Sequence, residues 1–571
     1  MTENAKAGKL WGIGLGPGDP ELVTVKAARI ISAAPVIAYH CARHGNSIAR
    51  SVAAPYLRDG QTEERLMYPL TVETTDHPGG YPGAMADFYA ESAELLAGHL
   101  AAGRDVALLA EGDPLFFSSY MHMHKRLADR FEAEIVPGVT SVSAASAALG
   151  IPLVEGEETL TVLPGTAESA ELIAHFRSGE ALAVMKLGRT FGKVYDALIE
   201  AGRIDEAWYV ERASTSRQRI EKVVDVDPDT VPYFSLIVVP GRRNNPLAGV
   251  LSTRSSASAS YRLKELEHTA TTETPPPLTE LPDTTATASY RLKELEHTAT
   301  TDTPTPLVEP VRNAVTNRVE TPPGEVVVVG LGPGPADQTT PQVAAELAAA
   351  TDLVGYDTYL RRLTPRPDQR VHASDNRVEA QRAEFALDLA ARGARVAVVS
   401  SGDPGVFAMA TAVAEAAADP AHHDVPVRVV PGVSAAQAVA AAVGAPIGHD
   451  FAILSLSDLL KPWSVIEDRI RHAVAADLVF AVYNPASSTR TEQIVAFRNL
   501  LAELVPADRV LVQGRDVGGS GERLGLLTLA EFDPSTVDMR TLLIVGSSQT
   551  RIVRRAGGDL VYTPRTYPTG T

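Results

Sequence analysis

A chain of 571 residues with 45% hydrophobic side chains carries enough apolar material for three or four domains at ~150 residues each. Its 70 acidic residues against 52 basic ones leave a net charge of −18, which argues against a nucleic-acid partner held by phosphate neutralisation. The single cysteine, Cys41, excludes an intrachain disulfide and a thiolate metal cluster; it reads as a small core residue in a cytoplasmic protein. The segment Met1 to Leu10 lacks the apolar core of a signal peptide, and no apolar run approaches the ~20 residues of a membrane span.

The first apolar run ends in the turn Gly12-Ile13-Gly14-Leu15-Gly16-Pro17-Gly18, where glycines permit close backbone approach and proline fixes the chain. Val25 to Ala34 reads as a helix with Thr24 as N-cap, and Pro35 to Tyr39 as the second strand. Cys41 to Pro82 is rich in turn residues and reads as a loop covering one face. Ala84 to Ala102 follows as helix, and Asp105 to Ala110 as a strand leading into Glu111-Gly112-Asp113-Pro114. After Pro137-Gly138, Thr140 to Leu149 is a small-residue helix. Strands are then expected at Thr159 to Leu163, Ala181 to Lys186, Ala207 to Val210 and Ser235 to Val239, with a lobe boundary near Pro152 to Gly156.

From about residue 245 to 323 the chain is rich in Ser, Thr, Pro and Glu, and Ala259 to Thr272 recurs without change as Ala288 to Thr301. Such a segment cannot bury a core and is read as a disordered linker, a docking peptide being the alternative.

Beyond it the first half recurs. Val329-Gly330-Leu331-Gly332-Pro333-Gly334 repeats the first turn, Ser400-Ser401-Gly402-Asp403-Pro404 the second, and Val430-Pro431-Gly432-Val433-Ser434-Ala435 the third. Thr340-Pro341 is a cap and first-turn pair. Leu353 to Tyr356 and Arg395 to Val399 read as strands, and Glu379 to Arg392 as a helix with Phe385 and Leu389 at helical spacing. Phe451 to Leu456, Leu478 to Tyr483, Val510 to Gln513 and Thr541 to Val545 match the strands of the first copy's second lobe. One α/β fold is used twice, with a ligand site expected at the carboxyl ends of the strands in each copy. A nicotinamide-binding site is the first rival, but it needs a third glycine where Pro17 stands, and an acid after the second strand where Tyr39-His40 stands. Asp357 offers such an acid in the second copy only. A non-catalytic carrier protein is the other.

The series Gly-Leu-Gly-Pro-Gly, Gly-Asp-Pro and Pro-Gly-Val-Thr/Ser resembles the S-adenosylmethionine-dependent tetrapyrrole methylases. The first copy is similar to the precorrin-2 C(20)-methyltransferases in Tyr68-Pro69-Leu70, Glu111 to Phe116, Thr159 to Thr166, Met185 to Arg189 and Tyr209 to Arg212. The second is similar to the precorrin-3B C(17)-methyltransferases in Ser374 to Arg377, Ser400 to Phe407, Gly448-His449-Asp450, Tyr483-Asn484-Pro485 and Val561 to Arg565. The resemblance implies α/β units at 8–244 (lobes about 8–152 and 153–244) and 324–567 (lobes about 324–446 and 447–567), the cofactor lying between lobes and 245–323 joining the units. It implies a bifunctional C-methyltransferase of cobalamin biosynthesis acting on precorrin-2 and precorrin-3B, with two S-adenosylmethionine sites per chain, no metal, and no nucleic-acid or membrane partner. A homodimer and an intrachain pseudo-dimer of the two units are both left open.

The cofactor contacts it implies are Pro17, Glu111, Gly112, Asp113, Phe116, Thr140, Ser141, Met185 and Ala213 in the first copy. In the second they are Pro333, Ser401, Gly402, Asp403, Val406, Ser434, Ala435, Tyr483 and Asp516. One departure is that Asp19-Pro20 becomes Pro335-Ala336 in the second copy. The substrate's carboxylates call for cations, and Lys186, Arg189, Arg212, Arg377 and Arg515 stand beside the motifs. The second reaction contracts the macrocycle and needs proton transfers, for which Asp375, His449 and Asp450 are candidates. A hydrogen-bonded structural role for His449 is the alternative.

Overall fold

The computed structural model describes residues 6–42, 47–69, 75, 77–154, 158–242, 324–375, 378–459, 461–487, 489–555 and 558–564. The segment read as a linker lies outside the described residues, as do Leu70, Asn376, Arg377 and Arg565.

The first copy contains β1 (Leu10–Gly14), β2 (Val36–Cys41), β3 (Thr62–Met67), β4 (Val106–Ala110) and β5 (Ala133–Val136), then β6 (Leu160–Pro164), β7 (Ala181–Met185), β8 (Trp208–Glu211), β9 (Arg219–Lys222) and β10 (Ser235–Val239). The first five form a parallel sheet in the order β3-β2-β4-β1-β5. The unbroken apolar run of β4 is what a strand covered on both faces requires. Val106, Leu108 and Ala110 pack on one side with Met85, Leu96 and Tyr120 of the helices Gly80–Ala101 and Tyr120–Leu127. Ala107 and Leu109 pack on the other with Ala27, Ile31 and Val52. The helix Val25–Ala33 starts where Thr24 Oγ1 accepts from the Ala27 N–H at 3.2 Å.

The second copy repeats this with β11 (Glu325–Gly330), β12 (Asp352–Tyr356), β13 (Arg370–Ser374), β14 (Arg395–Ser400) and β15 (Val427–Val430), in the order β13-β12-β14-β11-β15. Four consecutive valines of β11 divide between two cores, Val326 and Val328 to one and Val327 and Val329 to the other. Thr340 caps the next helix through the Val343 N–H at 3.3 Å, with Pro341 in its first turn. The chain continues through β16 (Gly444–Ala445), β17 (Phe451–Ser455), β18 (Val479–Tyr483), β19 (Val510–Arg515), β20 (Arg523–Thr528), β21 (Thr541–Val545), β22 (Arg551–Val553) and β23 (Leu560–Tyr562).

The second lobes of the two copies share one sheet of ten strands, β20-β19-β21-β18-β17-β6-β7-β10-β8-β9. At its middle β17 runs antiparallel to β6, with Phe451 opposite Val162 and Ile453 opposite Leu160. The order outward from this seam is the same on both sides, so the copies meet about a pseudo-twofold. One apolar cluster crosses it, holding Leu108, Val162 and Ala183 of the first copy with Ala436, Phe451 and Ile544 of the second. The ion pair of Arg469 with Glu180, at 3.0 Å and largely buried, also crosses it.

Two expectations need correction. Residues 41–82 are not loop throughout: they contain the helix Ile48–Ala53 and strand β3. Thr-Glu-Glu-Arg-Leu-Met shows no alternation because β3 is a sheet edge with only Leu66 buried, and charge is tolerated on edges. The edge strands β9, β13 and β20 went unread for the same reason. In the helix Glu379–Ala391 the buried stripe is Ala383, Ala386, Leu387 and Ala390, whereas Phe385 is 42% exposed with its ring 5.1 Å from that of His372. No described helix is long and apolar enough to cross a membrane.

Candidate active sites

The three repeated turns of each copy converge into one knot of backbone. Gly16 and Gly112 exchange N–H···O bonds of 3.2 and 2.8 Å, and Gly332 and Gly402 exchange bonds of 3.2 and 2.9 Å. A Cβ on Gly138 would sit 2.2 Å from the Gly112 carbonyl oxygen, and one on Gly432 would sit 2.4 Å from that of Gly402. These glycines are required by contact between main chains, whatever their φ. Gly112 and Gly402 are in addition left-handed, at φ 65° and 63°.

The aspartates lock each knot. Asp113 accepts from the Leu115 N–H at 2.8 Å and the Gly138 N–H at 3.0 Å; Asp403 accepts from the Gly405 N–H at 2.9 Å and the Gly432 N–H at 3.2 Å. Both side chains are buried, so what they brace toward the cleft is the backbone of the neighbouring glycines. Thr140 and Ser434 cap the helices Ser141–Leu149 and Ala435–Val443, whose first N–H groups therefore border the knot beside Ser141 and Ala435. Pro17, Pro333, Glu111 and Ser401 are half-buried at the same turns. Phe116 and Val406 are buried just beyond them.

From the second lobes come Met185 at the end of β7, Ala213 after β8, Tyr483 at the end of β18 and Asp516 after β19. The Tyr483 hydroxyl accepts from the Ala436 N–H at 3.0 Å, which ties the two lobes together in the second copy. Backbone strain concentrates at these strand ends. Phe117 and Phe407 have φ of 54° and 49°, Lys186 and Asn484 59° and 49°, Arg212 and Asp516 45° and 51°. Each pair occupies the same place in the two copies, and such conformations cost of order 1–3 kcal/mol each for side chains other than glycine. Strain is thus repeated at equivalent positions of the two copies, at the strand ends that carry the candidate site residues.

The candidate carboxylate receptors fare unequally. Lys186 places Nζ 4.8 Å over the Phe117 ring, and Arg189 is exposed nearby. Arg212 is ion-paired with Glu211, which also accepts from the Tyr209 hydroxyl at 3.0 Å. Arg515 holds Asp538 at 2.9 and 2.8 Å. Both forks are committed to carboxylates of the protein, so neither is an open receptor as it stands. Arg377 falls outside the described residues.

Of the acid/base candidates, His449 Nδ1 lies 3.6 Å from Asp450 Oδ2. The charges that reach Asp450 from other elements are Glu171 and Lys186, both of the first copy. Asp375 follows edge strand β13, where its backbone carbonyl accepts from Arg382.

Two groups escaped the sequence reading. Arg362 donates to the carbonyls of Leu331, Gly332 and Gly334 at 3.2, 3.2 and 3.0 Å and to Ser401 Oγ at 3.2 Å, so it grips the whole first turn of the second copy. In the first copy an aromatic wall forms from Tyr68, Phe88 and Tyr89 around half-buried His40, whose ring lies 5.4 Å from that of Tyr68. The charge of Glu111 reaches Tyr68, which sets this wall beside the knot. Neither group has a spacing signature: Arg362 acts through the reach of its side chain, and the wall draws on three separate elements.

Burial pushes Glu111 up to about 7, Asp113 to about 7, Asp403 to about 6 and Asp450 to about 7, the Glu171 charge adding to the last. A carboxyl whose pKa is higher in the folded state stabilises the fold fully below its unfolded value, about 4, and loses that contribution as pH climbs to 6–7. Burial also holds His40 and His124 down to about 4 and lowers His175, which adds stability as pH rises from about 4 to about 6.5 and opposes the carboxyls in part over the lower end of the range. The carboxyls prevail. The thermal midpoint of the ligand-free protein is expected to fall from pH 5.5 to pH 8, and Asp113→Asn or Asp403→Asn to flatten that profile in scanning calorimetry.

Comparison with known proteins follows the same division. Residues 9–224 and 325–533 each match the family model of the tetrapyrrole (corrin/porphyrin) methylases. The chain is 51% identical over 565 residues to the cobalamin biosynthesis protein CobIJ of Mycobacterium tuberculosis, covering 98% of this chain and 96% of that one. One stretch is 45% identical over 239 residues to the precorrin-2 C(20)-methyltransferase of a Sinorhizobium species, covering 42% of this chain and 98% of that enzyme. Another is 51% identical over 247 residues to the precorrin-3B C(17)-methyltransferase of a Sinorhizobium species, covering 43% of this chain and 97% of that enzyme. With its three-turn knot present in both copies, the chain belongs to the tetrapyrrole methylases and carries the family's unit twice.

Proposed function

We propose that this chain is a bifunctional S-adenosylmethionine-dependent C-methyltransferase of cobalamin biosynthesis. The first unit, 8–244, methylates precorrin-2 at ring carbon 20; the second, 324–567, methylates precorrin-3B at ring carbon 17 with ring contraction. The observation that carries this reading is that 98% of the chain matches 96% of the cobalamin biosynthesis protein CobIJ, while two stretches of the chain are separately similar to those two enzymes.

Each unit offers a cradle suited to the cofactor: a concave knot of main chain with no room for a Cβ at Gly138 or Gly432, bordered by a capped helix N-terminus. When bound, the cofactor supplies an electrophilic methyl on a sulfonium. What the chain contributes is positioning, which for a well-aligned pair is worth up to ~7–11 kcal/mol. In the first unit half-buried Tyr68, backed by buried Phe88 and Tyr89, offers an aromatic face to a macrocycle, and Lys186 a cation to its carboxylates. The strained Phe117 and Lys186 fix those side chains between the lobes.

Calorimetric titration with S-adenosylhomocysteine, with NAD as control, tests the reading. Two sites per chain are expected, and none for NAD. NAD binding in place of S-adenosylhomocysteine would return the chain to the oxidoreductase reading, and binding of neither would overturn the methyltransferase reading. Cofactor binding without methylation of either precorrin would favour a carrier.

A further inference from the structure

The segment that links the lobes of the second unit does not stay with its own unit. Gly448 approaches Met121 of the first unit so closely that a Cβ would lie 2.8 Å from its sulfur. Phe451 sets its ring 5.4 Å from that of Phe116, which belongs to the Gly-Asp-Pro-Leu-Phe run of the first unit's knot. Phe117, the next residue, is the strained one beneath Lys186. The exchange is reciprocal: Val154 of the first unit bridges to Val406 of the second, and a Cβ on Gly405 would lie 3.2 Å from Ser146 Oγ.

Between Gly448 and Phe451 stand His449 and Asp450. Asp450 is 9% exposed, and its Oδ1 has no hydrogen-bond donor among the described residues. The groups that face it are its neighbour His449 and, from the first unit, Glu171 on the helix Ser169–Arg177 and Lys186 at the end of β7. Lys186 is the cation assigned above to the precorrin-2 site. A buried carboxyl oxygen without a partner, held on the far unit beside that cation, is a group waiting for a ligand of the first unit.

We infer that Asp450, carried by the second unit, lines the methyl-acceptor cleft of the first unit and takes up the proton released when the first unit methylates its substrate. This rests on the assignment of precorrin-2 methylation to that unit. In the step, an electron pair of the ring carbon forms the new carbon–carbon bond. The sulfur–methyl bond breaks with its pair left on sulfur. The positive charge passes to the ring, and the ring discharges it as one proton. Asp450 Oδ1 accepts the proton, and His449, adjoining Oδ2, passes it toward solvent. Burial and the Glu171 charge bring the Asp450 carboxyl up to about 7, where it is half ionised and able to accept near neutral pH.

The test uses the full chain and assays the two steps separately, one with precorrin-2 and one with precorrin-3B. Asp450→Asn is expected to lower kcat of precorrin-2 methylation at least tenfold and to remove the pH dependence near 7 from that step. Because the carboxyl faces the first unit and not the second reaction for which the sequence offered it, precorrin-3B turnover should stay within twofold, and both S-adenosylhomocysteine sites should remain by calorimetry. A second variant leaves the buried residue in place: Glu171→Gln removes the like charge, so the rising limb of the precorrin-2 pH profile should move to lower pH while the precorrin-3B profile holds. Loss of the precorrin-3B step with the precorrin-2 step spared would put Asp450 to work in its own unit and overturn the inference. So would precorrin-2 profiles unchanged in both variants. Failure of the parent assignment looks different, because the unaltered protein would then not methylate precorrin-2.

Discussion

Replacing Gly138 by valine is expected to abolish S-adenosylhomocysteine binding to the first unit and leave that of the second intact. The new Cβ would lie 2.2 Å from the Gly112 carbonyl oxygen and 3.0 Å from Gly14, all main-chain atoms that no rotamer change can move aside. Relief requires the knot to open, which also pulls the Gly138 N–H from Asp113. Overpacking of this kind costs typically 1–3 kcal/mol, and an abandoned bond to a buried carboxyl costs about 1–3 kcal/mol more. Gly432→Val should do the same to the second unit, where Gly402 and Gly330 oxygens stand 2.4 and 2.7 Å from the new carbon. Calorimetric stoichiometry reads the effect directly, falling from two sites to one in each variant. Two sites surviving in either would mean that the knot is not the cofactor's seat.

Phe451→Ala is expected to destabilise the whole protein by about 3–5 kcal/mol, the usual cost of emptying a buried aromatic site. Phe451 is 2% exposed, lies opposite Val162 across the seam and belongs to an apolar cluster fed by both units. Because that cluster is common, scanning calorimetry should show one transition moved down by several degrees, with both units unfolding together. A transition that split, one part keeping the original midpoint, would show that the seam does not couple the units.

The sequence was informative where a residue's neighbours are close in the chain or the pattern is forced by burial on both faces. β1, β4, β11 and β14 are legible as apolar runs, and the turns after them as glycine clusters, because central parallel strands leave no room for polar side chains. Edge strands β3 and β13 were not, since one bare edge and one wet face remove the pattern. The knot residues were legible as a repeated set, although Asp113 and Asp403 turn out to hold main chain. Arg212 and Arg515 looked like receptors because their partners, Glu211 and Asp538, are chosen by the fold. The antiparallel pairing of β17 with β6 could not be read at all. Nothing in Phe-Ala-Ile-Leu-Ser says which edge it will meet.

That pairing also fixes numbers. Two enzymes encoded apart reach a working ratio only through their separate expression and their affinity for one another, whereas these two cores belong to one chain and are joined by β6 and β17. Covalent linkage replaces a concentration-dependent encounter with an effective concentration of the order of millimolar or more. The two active centres are therefore present one to one at any dilution, and the capacity of the first step cannot drift from that of the second except through catalysis itself.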